Sequence, residues 1–167
     1  MKPDGPSMIE YRIGDATAPE GAGKKIIVHV CNDVGGWGRG FVVAISKRWP
    51  EPEQRFRAWF RGGEGQAFAL GEVQFVEVTP EITVANLIGQ HGLSTRQKTP
   101  PIRYEAVRQG LRGVAERALR ESATVHMPRI GCGLAGGRWE EMELVIVEEL
   151  CGRGVEVIVY DLAGASR

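Results

Sequence analysis

The chain has 167 residues, of which 43% are hydrophobic and 25% are charged, a balance typical of one globular domain with its own core. Lys and Arg together number 21, as do Asp and Glu, so the formal net charge is zero and bulk electrostatic binding to nucleic acid is not expected. The three cysteines form no CxxC pair and no stretch resembles a signal peptide or a membrane span, which argues against a disulfide framework or a zinc site and favours a cytoplasmic protein with free thiols.

The first half of the chain predicts two strands followed by two helices. In chain order these elements cover residues 8–13, 25–31, 41–48 and 51–60. The first strand alternates in hydrophobicity, whereas the second is a nearly continuous β-branched run, typical of a strand buried on both faces. The first helix is expected to end near Trp49 because Pro50 follows it. Residues 1–7, which precede the first strand, are expected to fray.

The second half predicts four strands and two helices. They are strands over 71–78 and 82–88, a helix over 103–121, a strand over 124–130, a helix over 138–151 and a strand over 155–160. Apolar residues recur in both helices at helical spacing, so one face of each is expected to pack on the sheet. Strands alternating with helices indicate one α/β domain over residues 8–163, a three-layer α-β-α sandwich with a central mixed sheet of about six strands.

Two glycine-rich loops leave strands and lead into helices, at the sheet edge where α/β proteins bind their ligands. The first glycine loop (residues 32–40) reads NDVGGWGRG and the second glycine loop (residues 130–137) reads IGCGLAGG. Glycine lets the backbone approach a ligand closely, and N–H groups at a helix start can receive a phosphate, so the two loops can hold a diphosphate from both sides. Neither has the GxxxxGK[ST] pattern of a triphosphate-binding loop. The alternative is that they are tight structural turns.

Three further features allow both a structural and a functional interpretation. Asp15, after the first strand, is either a turn cap or an acceptor for an adenine amino group. The segment 86–92 (NLIGQHG) places three polar side chains at the end of a central strand, where His91 is either structural or a base near neutral pH. Cys132 is expected to be a packing residue, because a nucleophilic cysteine needs an activating base.

These segments together resemble the macrodomain family, in the branch of terminal ADP-ribose protein glycohydrolase and the ALC remodeller macrodomain. The matching pieces are Gly14-Asp15, residues 26–32 with the first glycine loop, residues 86–89, MPRIGCGL at 127–134 and VYDL at 159–162. MPRIGCGL is the most specific, since with the Trp-Glu pair that follows it matches that branch almost letter for letter. The resemblance covers residues 8–162 and implies a macrodomain fold that needs no metal and no cofactor.

The resemblance also implies a ligand, ADP-ribose. Asp15 would hydrogen-bond the adenine, and residues 35–41 would surround the distal ribose and a phosphate. Residues 131–134 would donate backbone N–H groups to the diphosphate, and Tyr160 and Leu162 would lie near the adenosine. The residues implied to contact the ligand are Gly14, Asp15, Ala16, Asn32, Gly35, Gly36, Trp37, Gly38, Arg39, Gly40, Phe41, Gln90, Ile130, Gly131, Cys132, Gly133, Leu134, Tyr160 and Leu162. The expected partners are ADP-ribose, or ADP-ribosylated protein or nucleic acid, with no membrane contact and a monomeric chain.

Two departures from the family pattern bear on catalysis. Gln90 stands where the glycohydrolase has a nucleophilic lysine, and Ala135 stands where it has an aspartate. Because glutamine cannot form a Schiff base with an opened ribose, that lysyl route is not expected. One interpretation is a hydrolase that removes mono-ADP-ribose from protein carboxylates or nucleic-acid bases by attack of water. Its candidate catalytic residues are Asn32, Asp33, Gln90 and His91.

Asp33 is the only carboxylate of the first glycine loop and is therefore the predicted general base. A second interpretation is a catalytically inactive module that recognises ADP-ribose. A third is a phosphatase or deacetylase that acts on ADP-ribose derivatives.

Overall fold

The computed structural model describes residues 8–93 and 99–164, with a six-stranded sheet at the centre. The strands are β1 (Glu10–Ile13), β2 (Lys25–Asn32), β3 (Val73–Glu77), β4 (Ile82–Gln90), β5 (Thr124–Met127) and β6 (Val157–Asp161). Their spatial order is β1-β6-β5-β2-β4-β3. All neighbouring strands are parallel except the pair β3 and β4, so the five strands other than β3 have their carboxyl ends at the same edge of the sheet. The predicted frayed segment, residues 1–7, lies outside the described residues.

Helices cover both faces of this sheet. They are α1 (Phe41–Arg48), α2 (Glu51–Phe60), α3 (Tyr104–Glu121) and α4 (Trp139–Glu149), with a short 3-10 turn at Cys151–Arg153. Successive residues of β2 serve opposite sides, as strand geometry requires. Ile26 and Val28 belong to the core shared with α3 and α4, whereas Ile27 belongs to the core shared with α1 and α2. The predicted three-layer sandwich with a mixed sheet is confirmed.

A buried polar network fixes α2 on the sheet. The Asn86 amide nitrogen donates to Gln74 Oε1 (2.9 Å) and to the Pro52 carbonyl of α2 (3.2 Å), and its oxygen accepts from His29 Nε2 (2.5 Å). Burial lowers the pKa of His29 to about 4, against the smaller opposite effect of the Asn86 hydrogen bond, so the imidazole is neutral. The prediction that Asn86 joins the polar side chains at the strand end is wrong. Alternation along β4 turns it towards α2, and it is fully buried.

Element boundaries differ from the predicted ones where the backbone leaves the sheet early. β5 ends at Met127, short of the predicted residue 130, because Pro128 has no N–H to donate to the neighbouring strand. Leu119 in α3 has the spacing of a core residue but is 53% exposed. Every helix among the described residues is too short or too polar to cross a membrane.

Candidate functional site

The two glycine loops lie side by side at the carboxyl edge of the sheet. The first follows β2 and the second follows β5, and these strands pair directly. A Cβ atom built on Gly40 would lie 3.7 Å from Leu134 Cδ1, so the loops approach to van der Waals distance. Gly38 and Gly133 are exposed, which leaves backbone of both loops open to solvent and to a ligand.

The first glycine loop requires glycine at two of its positions. Gly35 has φ +76°, and a Cβ atom there would lie 2.5 Å from the Phe60 ring. Gly40 has φ +81° and is the N-cap of α1, without a side-chain capping bond. Among the described residues of α1, the first turn carries no acidic side chain. The N–H groups at the start of this helix therefore compete with no carboxylate of its own first turn and can receive a phosphate.

Asn32, the last residue of β2, holds the first glycine loop in shape. Its amide oxygen accepts from the backbone N–H of Val34 (3.1 Å) and Gly36 (2.8 Å), and its amide nitrogen donates to the Gly36 carbonyl (2.9 Å). The residue is only 8% exposed. Three of its hydrogen bonds are thus directed at the loop itself, which makes loop conformation its main role in this structure.

Asp33 joins the first glycine loop to the end of β4. Its Oδ2 lies 2.7 Å from His91 Nδ1, and its Oδ1 accepts from the Gly92 N–H (2.8 Å). Burial acts to raise the pKa of Asp33, but the hydrogen bonds from Gly92 and His91 outweigh it and hold the pKa below the usual range of an aspartate. The carboxylate is therefore ionised at neutral pH.

Gln90 completes this cluster at the end of β4. It is the register partner of Asn32, just past a register shift at which β4 carries one extra residue, Gly89. Its side-chain nitrogen donates to the Gly92 carbonyl (2.9 Å), and its backbone carbonyl accepts from the Asp33 N–H (3.0 Å). The structure thus places all four predicted catalytic residues at the adjacent ends of two paired strands.

Asp15 follows β1, which is the outermost strand of the sheet at the end away from β3. Its Oδ1 accepts from the Thr17 N–H (2.8 Å) and hydroxyl (2.7 Å), and its Oδ2 lies 3.5 Å from Arg48 at the end of α1. Burial acts to raise its pKa, but the Thr17 and Arg48 contacts hold the pKa below its usual range. One oxygen therefore caps the turn, while the other lies beside Arg48 on a side chain that is 42% exposed.

Tyr160 packs beneath the turn that carries Asp15, on the side of the protein core. The residue is 3% exposed, and its hydroxyl accepts from the Glu20 N–H (2.9 Å) and lies 2.9 Å from His126 Nδ1. A Cβ atom built on Gly14 would lie 3.2 Å from the Tyr160 ring, so the backbone before Asp15 rests directly on that ring. Leu162, the next predicted contact, is 62% exposed.

The second glycine loop is closely packed. A Cβ atom on Gly131, which has φ +72°, would lie 2.6 Å from Ile102 Cδ1. Burial raises the pKa of the Cys132 thiol to about 11, against a smaller effect of Arg129, so the thiol is protonated at neutral pH. That is consistent with the packing role predicted for Cys132. Among the described residues, no group of three or more His, Cys, Asp and Glu side chains is placed to hold a metal ion.

No protein-family model matches the chain. Two solved structures resemble it closely along nearly their whole length. One is a protein of unknown function from Bacteroides thetaiotaomicron, 56% identical with a TM-score of 0.89, and the match covers 93% of this chain and 99% of that one. The other is a macrodomain protein from Streptomyces coelicolor, 54% identical with a TM-score of 0.81, covering 92% and 98%. The chain belongs to the macrodomain family.

Curated relatives place this macrodomain among proteins of several activities. The mouse chromodomain-helicase-DNA-binding protein 1-like is 30% identical over 91% of the macrodomain, which spans only about a sixth (17%) of that relative's length. ADP-ribose 1″-phosphate phosphatase of Candida albicans is 27% identical over 84% of the macrodomain and 93% of its own length. ADP-ribose glycohydrolase OARD1 of cattle is 35% identical over 60 residues.

The sequence interpretation missed the arginine that anchors the second glycine loop of the macrodomain. Arg129 donates to both carboxylate oxygens of Asp161 in β6 (2.8 and 3.0 Å). Its guanidinium also lies 5.0 Å from the Trp139 ring centroid and 5.2 Å from that of Tyr11, within cation–π range. Arg129 belongs to the MPRIGCGL motif and Asp161 to the VYDL motif, so the presence of both motifs was the sequence signal that could have revealed this pair.

Trp37, predicted to contact the ligand, has its ring turned into the macrodomain. It is 7% exposed, and its Nε1 donates to Ser46 Oγ (2.8 Å), which contacts Glu53 Oε1 (3.1 Å). The ring also packs edge-on against His29. A ligand at the first glycine loop would therefore meet mainly the backbone of Trp37.

Proposed function

We propose that this macrodomain binds ADP-ribose and hydrolyses the bond that links ADP-ribose to a protein carboxylate or a nucleic-acid base, with water as the nucleophile. The observation that carries the proposal is the cluster of Asp33, Gln90 and His91 at the paired ends of β2 and β4, directly beside the first glycine loop. A module that only holds its ligand needs fewer polar side chains at this position.

Ligand binding is supported by the chemistry available along the edge of the sheet. At one end, the partly exposed side chain of Asp15 has one oxygen that does not cap the turn, and an exocyclic amino group can donate to that oxygen. The start of α1 and the exposed backbone of both glycine loops supply N–H donors for a diphosphate. The names of the Candida and cattle relatives refer to ADP-ribose derivatives, which supports the same ligand class.

The proposed use of water as the nucleophile rests on the residues at positions 90 and 135 and on the Asp33–His91 pair. Gln90 has no nucleophilic amine, and Ala135 has no ionisable proton, so a covalent intermediate with a lysine does not form at these positions. Attack by water forms a bond between the water oxygen and C1″ of the distal ribose while the bond from C1″ to the leaving group breaks. The ionised Asp33 and the imidazole of His91 are the groups in this cluster that can accept a proton from the attacking water.

Two other functions have specific support. The replacement of lysine and aspartate by Gln90 and Ala135 favours a catalytically inactive module that recognises ADP-ribose. The match along 93% of the Candida relative favours a phosphatase that acts on ADP-ribose-1″-phosphate, or a deacetylase of a related derivative. The cytoplasmic location, the monomeric state and the absence of bulk nucleic-acid binding stay predictions.

Calorimetry with free ADP-ribose tests the binding component. The unmodified protein is expected to bind, and Asp15→Ala is expected to weaken binding by about 1–3 kcal/mol, or ~5- to ~150-fold in Kd, because a hydrogen bond to a charged acceptor is lost. Glu105→Gln, an exposed carboxylate on α3, is the matched control and is expected to bind normally. Absence of binding at millimolar ligand would reject ADP-ribose, and unchanged affinity of Asp15→Ala would reject the adenine contact.

A panel of substrates tests the hydrolytic component. Carboxylate-linked, serine-linked and thymidine-linked ADP-ribose and ADP-ribose-1″-phosphate are mixed with the protein, and release of ADP-ribose, or of phosphate from the last substrate, is followed with time. Release from a carboxylate or a base is the expected result. Binding without release from any substrate supports the inactive module, and release of phosphate alone supports the phosphatase.

A further inference from the structure

Arg48, the last residue of α1, is joined to the turn that carries Asp15. Its Nε–H donates to Thr17 Oγ1 at 2.7 Å, and its Nη2 lies 3.5 Å from Asp15 Oδ2. The Thr17 hydroxyl donates in turn to Asp15 Oδ1 at 2.7 Å, and the Thr17 N–H donates to the same oxygen at 2.8 Å. Arginine, threonine and aspartate thus form one chain of hydrogen bonds that ends on the carboxylate.

The contacts of Arg48 go beyond those of an ordinary basic residue at a helix end. Lys47 and Arg48 both occupy the last turn of α1, where a positive charge interacts favourably with the helix dipole. That interaction needs no specific partner, and it is equally available to Lys47, which lines a cleft with Trp37 and Ser46. Arg48 instead reaches Thr17, a residue that is only 2% exposed. The guanidinium therefore fixes the turn as well as completing the helix.

The two carboxylate oxygens of Asp15 are used to different extents. Oδ1 already accepts two hydrogen bonds, both from Thr17. Oδ2 meets Arg48 at 3.5 Å, a long contact, and the side chain is 42% exposed, so this oxygen retains a lone pair for a ligand. Because the carboxylate is fixed through Oδ1, its free lone pair keeps one direction.

We propose, on the basis of the ADP-ribose binding proposed above, that Arg48 is a positioning residue that holds Asp15 through Thr17 and thereby makes the macrodomain select adenine over hypoxanthine. An ionised carboxylate only accepts hydrogen bonds, so it pairs with the amino group of adenine. Hypoxanthine has an acceptor oxygen at the same position of the ring, and this oxygen is repelled by the carboxylate. The discrimination depends on a carboxylate that cannot turn away from the unfavourable base.

Helix α1 is a firm support for this arrangement, because it contacts the Asp15 region from both of its ends. Phe41, its first residue, packs against a small core cluster that contains Ala16 and Tyr160. Arg48, its last residue, bonds the turn as described above. The helix begins directly after the first glycine loop. The adenine acceptor is therefore tied to the same helix whose N-terminus is proposed to receive a phosphate.

Calorimetry with ADP-ribose and with its hypoxanthine analogue tests the role of Arg48. Arg48→Met keeps the aliphatic stem and removes the guanidinium, and it is expected to weaken ADP-ribose binding by about fivefold, the effect of one lost hydrogen bond. Binding of the hypoxanthine analogue, which makes no bond to Asp15, is expected to change by less than about twofold, so the preference for adenine falls.

Lys47→Met is the matched control, since it removes the neighbouring positive charge from the same helix turn. It is expected to leave the preference for adenine unchanged. The two ligands carry the same diphosphate, so the loss of a charge alone, or a general loosening of the protein, would weaken both of them alike.

Thr17 offers a second and independent way to break the chain. Thr17→Val keeps the size of this buried side chain and removes its hydroxyl, and it is expected to lower the preference for adenine as Arg48→Met does. Thr17→Ser keeps the hydroxyl and is expected to retain the preference. Thermal unfolding of every variant, measured without ligand, identifies those that are folded, and the comparison of Val with Ser does not require Arg48 to be changed.

A double-mutant cycle shows whether Arg48 acts through Asp15. Once Asp15→Ala has removed the acceptor, adding Arg48→Met is expected to weaken ADP-ribose binding by less than about twofold further, because the two effects share one contact. An effect of Arg48→Met that is as large in the Asp15→Ala background as in the unmodified one would show that Arg48 acts on the ligand by another route.

The outcomes separate this role from the function on which it depends. An unmodified protein that binds both bases equally, or an Arg48→Met variant that keeps the full preference for adenine or weakens both ligands equally, overturns the role of Arg48. If the unmodified protein binds neither ligand, the ADP-ribose function itself fails. If Asp15→Ala weakens ADP-ribose binding and Arg48→Met does not, the function stands and only the positioning role fails.

Discussion

The two glycine loops are alike in composition but are held by different forces. The first is held by polar side chains, since Asn32 bonds its backbone three times and Asp33 ties it to the end of β4. The second is held by close packing and by its own backbone, as in the bond from the Gly137 N–H to the Gly131 carbonyl (2.8 Å). The first loop should therefore respond to changes in hydrogen bonding and charge, and the second to changes in volume.

The largest expected effect is a single added methyl group in the second loop. In Gly137→Ala the new Cβ atom would overlap the Gly131 carbonyl oxygen, and a backbone atom cannot move away as a flexible side chain can. We expect a loss of about 3 kcal/mol in the free energy of unfolding, measured with urea. Gly133→Ala is the matched control, because a Cβ atom there meets nothing within 4 Å. Equal stabilities of the two variants would remove the distinction between the loops.

A smaller effect is expected from a polar deletion in the first loop. Asn32→Ala removes three hydrogen bonds and leaves the N–H groups of Val34 and Gly36 without that acceptor. We expect a loss of about 2 kcal/mol, less than for Gly137→Ala because solvent can reach part of this loop. Thermal unfolding and amide hydrogen exchange of residues 33–37 measure it. A variant as stable and as protected as the unmodified protein would show that packing, and not Asn32, holds the first loop.

The smallest expected effect is a loss of stability at acidic pH. It sharpens the comparison because we expect it from the first loop and not from the second. The pKa of Asp33 is lower in the folded protein than in the unfolded chain, so its ionised form contributes stability that is lost as the pH falls through the folded value. The difference in unfolding free energy between the unmodified protein and Asp33→Asn should therefore shrink as the pH is lowered through and below the ordinary titration range of an aspartate. The difference caused by Gly137→Ala should stay constant over that range. A constant difference for Asp33→Asn would contradict the lowered pKa.

The fold was predictable because its information is local. The β-branched run over 25–31 and the apolar spacing in 103–121 each mark an element within a short window, and alternation of strands with helices then indicates the layers. Boundaries were less predictable, as at the end of β5, because a proline near a strand end can be tolerated or can stop the strand, and here Pro128 stops β5 at Met127. Leu119 shows a similar limit. Helical spacing predicts which face of α3 points towards the sheet, but it does not predict how far along the helix the sheet covers that face.

The site was predictable in outline and not in its contacts. The glycine loops and Asp15 stand next to strand ends in the sequence, so their place at the sheet edge follows from the topology. The hydrogen bond between Asp33 and His91 and that between Arg129 and Asp161 join residues far apart in the chain. No spacing rule reveals such pairs. Asn86 was misplaced for the same reason, because its partners Gln74 and Pro52 come from other elements.

The pairing of β1 with β6 has a consequence for the folding reaction. Glu10 lies opposite Ile158, so this contact closes nearly the whole described chain into a loop, whereas β3 and β4 are close neighbours in the sequence. Closing so long a loop is entropically slow until the intervening strands are in place. We therefore expect β3 and β4 to pair early and β1 to dock last. The turn that carries Asp15 would then be the final part of the site to form, and its completion would coincide with the end of folding.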